Sequence, residues 1–289
     1  MTVVLEKAYA KINLGLKILG KRQDGYHNIL SLFQTMEVHD TLMISDSEPP
    51  GLECNTSDVP LGAENLIVKA ERLFSEFTGI NSHAHFLLTK IIPMGGGLGG
   101  GSANAAAALR GLRRFYRIES LSANEMMEMA AKLGSDVPFL LSGGTAVVSG
   151  RGENILPTDW PFDFTYIIVN PGFSISTAHA YHSLQSFSDN CDNYREIIVH
   201  LQEGKLEKDE FFRALVNDFE SVVLPENPVL ATIKSALLDR GASAAFMTGS
   251  GSSMVGIFED EQKAYECSKT MNDRQWTLFT TKKSSPFNE

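Results

Sequence analysis

The 289-residue sequence predicts an α+β protein of two domains, and three observations carry that expectation. Strand-like and helix-like segments intermix without a regular βαβ period, which argues against a parallel, doubly wound sheet. Near the middle, Leu156-Pro157-Thr158-Asp159-Trp160-Pro161 places two prolines within five residues. The charge balance shifts there as well: residues 1–157 hold 14 basic and 16 acidic side chains, residues 158–289 hold 11 and 19. The expected domains are therefore 1–157 and 158–289, each close to the usual ~150 residues.

Taken in order, residues 8–18 (AYAKINLGLKI) alternate Ile12, Leu14, Leu16 and Ile18 against Lys11, Asn13, Gly15 and Lys17. A period of two predicts a half-buried strand with Lys11 and Asn13 on one face. Residues 46–60 are dense in turn formers and read as a loop. Leu66, Ala70, Leu73 and Phe77 recur at helical spacing, and residues 83–91 read as a strand ending before Pro93. Four consecutive alanines, Ala105–Ala108, predict a helix starting near Ser102, with Ser102 as its N-cap. Arg110, Arg113, Arg114 and Arg117 would form its solvated end. Ser122 and Glu125 make a capping box ahead of a stripe of Met126, Met129, Ala130 and Leu133, closed by Gly134. Residues 144–150 read as a strand.

After the proline-rich seam, 165–172 is a strand, 186–193 a polar loop and 209–216 a weak helix. A better helix runs from Asn227-Pro228 to Gly241, with its proline in the first turn and its glycine just past the end. Strand 253–258, helix 261–271 and strand 276–281 complete the α+β pattern.

A net charge of −10 repels a nucleic-acid backbone, so DNA or RNA is not an expected partner. Cys54, Cys191 and Cys267 are widely spaced and form no CxxC, as suits a reducing compartment. No run approaches the ~18 apolar residues that cross a membrane. The opening MTVVLEKAYAKINL lacks the pattern of a signal or transit peptide. A cytoplasmic protein is expected. The pairs His83/His85 and His179/His182 have no third ligand nearby in sequence, so neither is read as a zinc site.

The most informative segment is Pro93-Met94-Gly95-Gly96-Gly97-Leu98-Gly99-Gly100-Gly101-Ser102-Ala103. Six glycines in seven positions strip the side chains from a loop that runs into a helix. Such a loop can bring backbone N–H groups and the positive helix end against an anion, and phosphate is the natural ligand. It is not a Walker A loop, because no lysine precedes Ser102. Gly95, Gly97 and Gly100 do satisfy the dinucleotide pattern GxGxxG, with Glu119 at a plausible distance for a ribose contact, but no βαβ unit follows.

Ala10-Lys11-Ile12-Asn13-Leu14, the loop from Pro93 to Ala106, and Thr248-Gly249-Ser250-Gly251 resemble the three motifs of the GHMP kinases. Asp24-Gly25-Tyr26-His27, Glu64-Asn65-Leu66-Ile67-Val68 and Gly134-Ser135-Asp136-Val137-Pro138 are similar to the branch that acts on diphosphocytidyl methylerythritol. The resemblance implies two α+β domains, the second ferredoxin-like, with the site between them. It implies transfer of the ATP γ-phosphoryl group to the 2-hydroxyl of that small molecule, with Mg2+ whose ligands stay unassigned. Carried over position by position, Asp136 is the catalytic base and Lys11 its charge partner, while Asn65 and residues 93–103 hold ATP. Tyr26, His27, Thr177 and Tyr181 would take the cytidine end, and Asn13 and Gly249 would also contact substrate. Ser135 replaces the usual alanine and Ala103 a common serine, neither removing a needed group. On sequence alone Asp136 could equally be a helix N-cap, Lys11 a solvated strand charge, and His27 structural. A family member that binds ligand without turnover has no use for such a base. The oligomeric state is left open.

Overall fold

The computed structural model describes residues 2–46, 49–184, 186–187, 192–271, 275–285 and 287. Two strands, β1 (Val3–Lys21) and β2 (His27–Ser45), form a long antiparallel hairpin. Its turn closes through Arg22 N–H to the Tyr26 carbonyl (2.7 Å) and Tyr26 N–H to Asp24 Oδ1 (3.1 Å). The predicted period of two holds only in part. A register shift between Asn13 and Leu16 acts as a bulge, with Gly15 at φ +88°. Before it Ala10, Ile12 and Leu14 enter one core; beyond it Leu16 and Ile18 enter the other. Residues Ala10 to Leu16 are buried throughout, so the middle of β1 is covered on both faces rather than half-exposed.

The expected loop at 46–60 contains β3 (Gly51–Cys54), which pairs in parallel with β4 (His85–Thr89). Between them α1 (Leu66–Thr78) starts at Asn65, whose Oδ1 accepts from Ile67 N–H (2.8 Å). The glycine loop then feeds α2 (Gly100–Phe115), which begins two residues before the predicted start. Its N-cap is Gly99, in the left-handed region, and no side chain caps it. Ser102 therefore lies inside the first turn and is not the cap. Ala103 and Ala105–Ala108 are buried because α2 lies between β1, α1 and later helices, where only small side chains fit. The arginines are not a solvated end as a group. Arg110 and Arg114 both pair with buried Glu6, and Arg110 also donates to the carbonyls of Lys7 (2.8 Å) and Leu140 (3.0 Å).

Helix α3 (Ala123–Leu133) carries the predicted capping box, and Met126, Met129 and Ala130 face the core. A short helix, α4 (Val137–Ser142), follows Asp136, and β5 (Thr145–Gly150) and β6 (Asn154–Pro157) complete the first sheet in the order β3-β4-β2-β5-β6, with β1 on β2.

The second sheet has the order β10-β7-β9-β8 and is antiparallel throughout. Its strands are β7 (Thr165–Asn170), β8 (Ala244–Met247), β9 (Met254–Phe258) and β10 (Thr277–Thr281). Helices α9 (Pro228–Asp239) and α10 (Glu261–Thr270) cross between β7 and β8 and between β9 and β10, which is the ferredoxin-like βαββαβ arrangement. Among the described residues four further helices precede α9: α5 (Thr177–Ser183), α6 (Asp192–Gln202), α7 (Lys208–Ala214) and α8 (Glu220–Glu226). Of the predicted polar loop 186–193, residues 188–191 (including Cys191) lie outside the described residues, and Asp192 already opens α6.

After β10 the chain returns to the first sheet. Glu37 N–H donates to the Lys282 carbonyl (2.9 Å) and Ser284 N–H to the Thr35 carbonyl (2.8 Å). The Phe287 ring stacks on Tyr9 (centroids 5.0 Å apart) beneath the Arg110 guanidinium.

Asp40 on β2 is fully buried and fixes the approach to the glycine loop. Its Oδ1 accepts from Ile91 N–H (2.7 Å) and Ile92 N–H (2.8 Å); its Oδ2 accepts from Lys90 Nζ and Asn104 Nδ2 (2.8 Å). Removing one member of a buried ion pair strands the other charge. Asp40→Ala should therefore lose about 3–5 kcal/mol of unfolding free energy in urea melts, with Lys90→Met added to it recovering part of the loss. An Asp40→Ala protein as stable as the parent would show that the pair is not a structural anchor.

Candidate active site

The site forms where β1, the glycine loop, α4 and the turn after β8 meet. The alternation of β1 sends Lys11 and Asn13 to the same side, where Lys11 Nζ donates to Asn13 Oδ1 (2.7 Å). Lys11 is only 4% exposed. A buried ammonium needs compensation, and three groups supply it: the Asn13 oxygen, the Asp136 carboxylate at 3.5 Å, and the face of Phe33, whose centroid lies 4.4 Å away. Asn13 is held in turn by donating Nδ2–H to Ser31 Oγ (3.0 Å) and its own N–H to Thr248 Oγ1 (3.0 Å).

Asp136 occupies the N-cap position of α4, yet its side chain makes no capping hydrogen bond. The carboxylate instead faces Lys11 and stays 30% exposed, open to a ligand. The sequence left open a choice between cap and reactive group; the backbone takes the cap position and the side chain is free of that duty.

The glycine loop is built into the seam between the two sheets. Lys11 N–H donates to the Leu98 carbonyl (3.0 Å), and Ser253 N–H donates to the Gly96 carbonyl (3.2 Å). Gly95, Gly97 and Gly99 all have φ between +65° and +77°, where only glycine is unstrained. Space is missing too. A Cβ at Gly96 would come within 2.5 Å of Asn170 Nδ2, and one at Gly97 would strike the Thr248 carbonyl oxygen. With Gly99 as its cap, the N–H groups of the first turn of α2 have no side-chain partner, and Gly101 is exposed. An anion there meets both the N–H groups and the positive helix end. Asn65 caps α1 nearby, with Leu66 against Gly101; Pro93 is half-buried and Met94 exposed at the loop's entrance.

The turn after β8 closes the far side. Thr248 Oγ1 lies 3.4 Å from the Gly97 carbonyl oxygen, and Thr177 and Ser250 share a hydroxyl hydrogen bond (2.8 Å) beside Gly249. His27, at the start of β2, stacks on Tyr181 of α5 with centroids 4.4 Å apart and planes 10° apart. Tyr26 is 53% exposed on the hairpin turn, with the Arg151 guanidinium 5.3 Å over its ring. Burial and the charge of Lys21 depress the His27 pKa, so the imidazole is neutral at pH 7. Burial first, and the negative charge of Asp136 second, push the Tyr181 phenol up to about 12. That coupling joins the aromatic pair to the Lys11–Asp136 centre. Phe33, Ser31, Asn170 and Asn217 also shape the site but were not singled out from sequence, because each acts through a partner distant in the chain.

Comparison with known proteins identifies the family. Models of the GHMP kinases N terminal domain and of the GHMP kinases C terminal match residues 65–144 and 204–275. A 4-diphosphocytidyl-2-C-methyl-D-erythritol kinase of Clostridium kluyveri is 37% identical over 282 residues, covering 96% of this chain and 99% of that protein. The chain belongs to the GHMP kinase family. A 4-diphosphocytidyl-2-C-methyl-D-erythritol kinase of Prosthecochloris aestuarii is 35% identical, covering 97% of this GHMP kinase and 98% of its relative. A crystal structure of a 4-(cytidine 5'-diphospho)-2C-methyl-D-erythritol kinase superposes with a TM-score of 0.80 at 29% identity, covering 98% and 100% of the two chains. Methanococcus jannaschii mevalonate kinase (TM-score 0.72, 15% identity, 98% of each chain) shares the fold. The dinucleotide reading of GxGxxG falls with the fold: the β3-α1-β4 crossover precedes the glycine loop, whereas α2 after it leads through α3 and α4 to β5, which pairs antiparallel with β2 rather than parallel beside β4. Among the described residues no helix is long and apolar enough to cross a membrane.

Because Tyr181 ionises above an ordinary phenol near 10, its burial favours the folded state below pH 10, and that contribution is lost as the pH rises from 10 through 12. Phenolate absorbance, read as the difference between the parent and Tyr181→Phe, should titrate near 12 and shift downward in Asp136→Asn. An unmoved titration would separate Tyr181 from Asp136.

Proposed function

We propose that this GHMP kinase transfers the γ-phosphoryl group of ATP to the 2-hydroxyl of 4-diphosphocytidyl-2-C-methyl-D-erythritol, a step toward isoprenoid precursors in the cytoplasm. The observation that carries this reading is the Lys11–Asn13–Asp136 cluster facing a glycine loop whose N–H groups suit phosphates. The names of relatives at 35–37% identity over nearly the whole chain support the choice of acceptor.

In this reading the Asp136 carboxylate takes the proton of the acceptor hydroxyl as its oxygen bonds to the γ-phosphorus. The bond to the β–γ bridging oxygen breaks, and ADP leaves with that electron pair. Lys11 offsets the negative charge that gathers between alcohol and phosphate, and Asn13 keeps its ammonium aimed there. Residues 95–102 bind and orient the phosphates by backbone N–H groups and the α2 terminus. Asn65, Pro93, Met94 and Ala103 border the same nucleotide site.

A neutral His27 can both donate to and accept from a cytosine edge, and Tyr26 or Tyr181 offers a face worth roughly 1–3 kcal/mol of stacking. In this reading Thr177, bonded to Ser250, and Gly249, beside Gly97 and Asn13, also contact the substrate.

The donor set fits Mg2+ carried by the nucleotide, since such an ion needs only one or two protein oxygens beside phosphate. The Ser102 hydroxyl, in the first turn of α2, is the group that would hold it, which leaves the Asp136 carboxylate to act as the base. Among the described residues no cluster of three His, Cys, Asp or Glu forms an all-protein cage. Bound there, Mg2+ would neutralise developing phosphate charge.

Purified protein with ATP should phosphorylate the diphosphocytidyl acceptor and ignore homoserine and mevalonate; preference for either of those would move the substrate assignment. Asp136→Asn should lower kcat by about 10²–10⁴-fold with ATP affinity within a few-fold of the parent, measured by ADP release and calorimetry. Full activity in that variant removes Asp136 as the base.

A further inference from the structure

Asn217 lies between α7 and α8, outside the glycine loop and outside every motif that carries the kinase resemblance. It is only 4% exposed, and each hydrogen-bonding function of its amide is engaged. Nδ2 donates to the carbonyls of Met247 (2.6 Å) and Gly249 (2.8 Å), while Oδ1 accepts from Phe219 N–H (3.0 Å). The two carbonyls bracket Thr248, whose hydroxyl accepts from Asn13 N–H and lies beside the Gly97 carbonyl.

The neighbours of Asn217 grip the same two elements. Asp218 N–H donates to the Leu16 carbonyl (3.0 Å), and Leu16 N–H donates to the Val216 carbonyl (2.8 Å). Asp218 Oδ2 accepts from Ile18 N–H (2.8 Å), and Glu220 Oε1 accepts from Met247 N–H (2.7 Å). One short segment, 216–220, thus holds β1 on one side and the 247–249 turn on the other.

The residue type is specified by these partners. Two carbonyls facing one side-chain atom demand two protons, and an adjacent N–H demands an acceptor; only a carboxamide offers both. Glutamine adds a methylene for which a nearly fully buried site has little room. Aspartate would set a carboxylate oxygen against two carbonyl oxygens.

We infer that Asn217 is a positioning residue for phosphoryl transfer: by clamping the Met247 and Gly249 carbonyls it holds Thr248 against Asn13 and Gly97, and so fixes the Lys11 ammonium relative to the phosphate loop. This rests on the reading of Lys11, Asn13 and residues 95–102 as reaction machinery. Asn217 itself touches no reacting atom. A displacement of order 1 Å in such machinery costs about 10²-fold in rate.

The test compares Asn217→Asp and Asn217→Ala with the parent, at equal folded fraction by circular dichroism. Both should lower kcat by about 10–100-fold with the KM for ATP changed less than about threefold. Asn217→Asp should recover rate relative to the parent as the pH falls, because the protonated carboxyl regains one donor. Combining Asn217→Ala with Thr248→Ala should cost no more than the larger single effect, since both act through one contact. Independently of turnover, hydrogen exchange at the amides of residues 95–101 and Asn13 should quicken in both variants while that of α1 stays unchanged. Unaltered kcat, multiplying losses in the double variant, or unaltered exchange in the loop would each overturn the clamp. Failure of the parent to phosphorylate the diphosphocytidyl acceptor, with the exchange effect intact, would instead overturn the substrate assignment and leave the clamp standing.

Discussion

A lysine ammonium held almost out of water at the meeting point of two sheets is the constraint around which this molecule is arranged. A bare charge there would cost several kcal/mol, so each neighbour of Lys11 is fixed in kind. Asn13 must present an oxygen, Asp136 a negative charge, and Phe33 the face of its ring. Each of these groups then makes demands of its own. Asn13 is satisfied by Ser31 and Thr248, and the Ser31 hydroxyl donates to the Gly15 carbonyl (2.6 Å) at the bulge in β1. The network thus crosses from the first sheet to the second without leaving a polar group unpaired, which is the condition under which a buried polar network adds rigidity.

The glycine loop is the second half of the same arrangement. Flexible loops are rich in glycine, but here Gly95, Gly97 and Gly99 are held in left-handed conformations, and at Gly96 and Gly97 a Cβ would collide with a neighbour. The loop is therefore a packed surface, made of backbone because only backbone fits. Its N–H groups are available to a ligand because the helix behind it is capped by Gly99 and not by a side chain. The absence of a helix-capping hydroxyl and the presence of an anion-binding end are one feature.

How much of this was legible in the sequence depends on how local the physics is. The glycine loop, the Lys11–Asn13 pair and the α3 capping box each declare themselves within a dozen residues, and the structure places the first two together. The α+β class and most elements followed from periodicity. What periodicity could not show was the bulge near Gly15, which redirects the apolar face of β1 from one core to the other. Nor could it show β3, four residues long and held by pairing with β4. Ser102 looked like a cap because hydroxyls usually cap; the positive φ that glycine permits let the helix begin earlier. Arg110 looked solvated because its partner, Glu6, is about a hundred positions away. Asn217 was invisible for the same reason: its partners lie 30 and 32 residues further on.

The return of the chain to the first sheet after β10 has a consequence for the order in which the protein can be made. The backbone of Thr35 and Glu37 is satisfied by residues 282 and 284, synthesised long after them, and β1 near the bulge is satisfied by residues 216 and 218. A nascent chain can assemble the hairpin of β1 and β2 early. Until residues 216–218 and 282–284 arrive, however, backbone groups of β1 and β2 must find other partners, and unpaired strand backbone of this kind invites association with other chains. The setting of the candidate site is thus completed by segments far along the chain, so a product that stops before them holds the glycine loop and the Lys11–Asn13 pair without the contacts that set them in place.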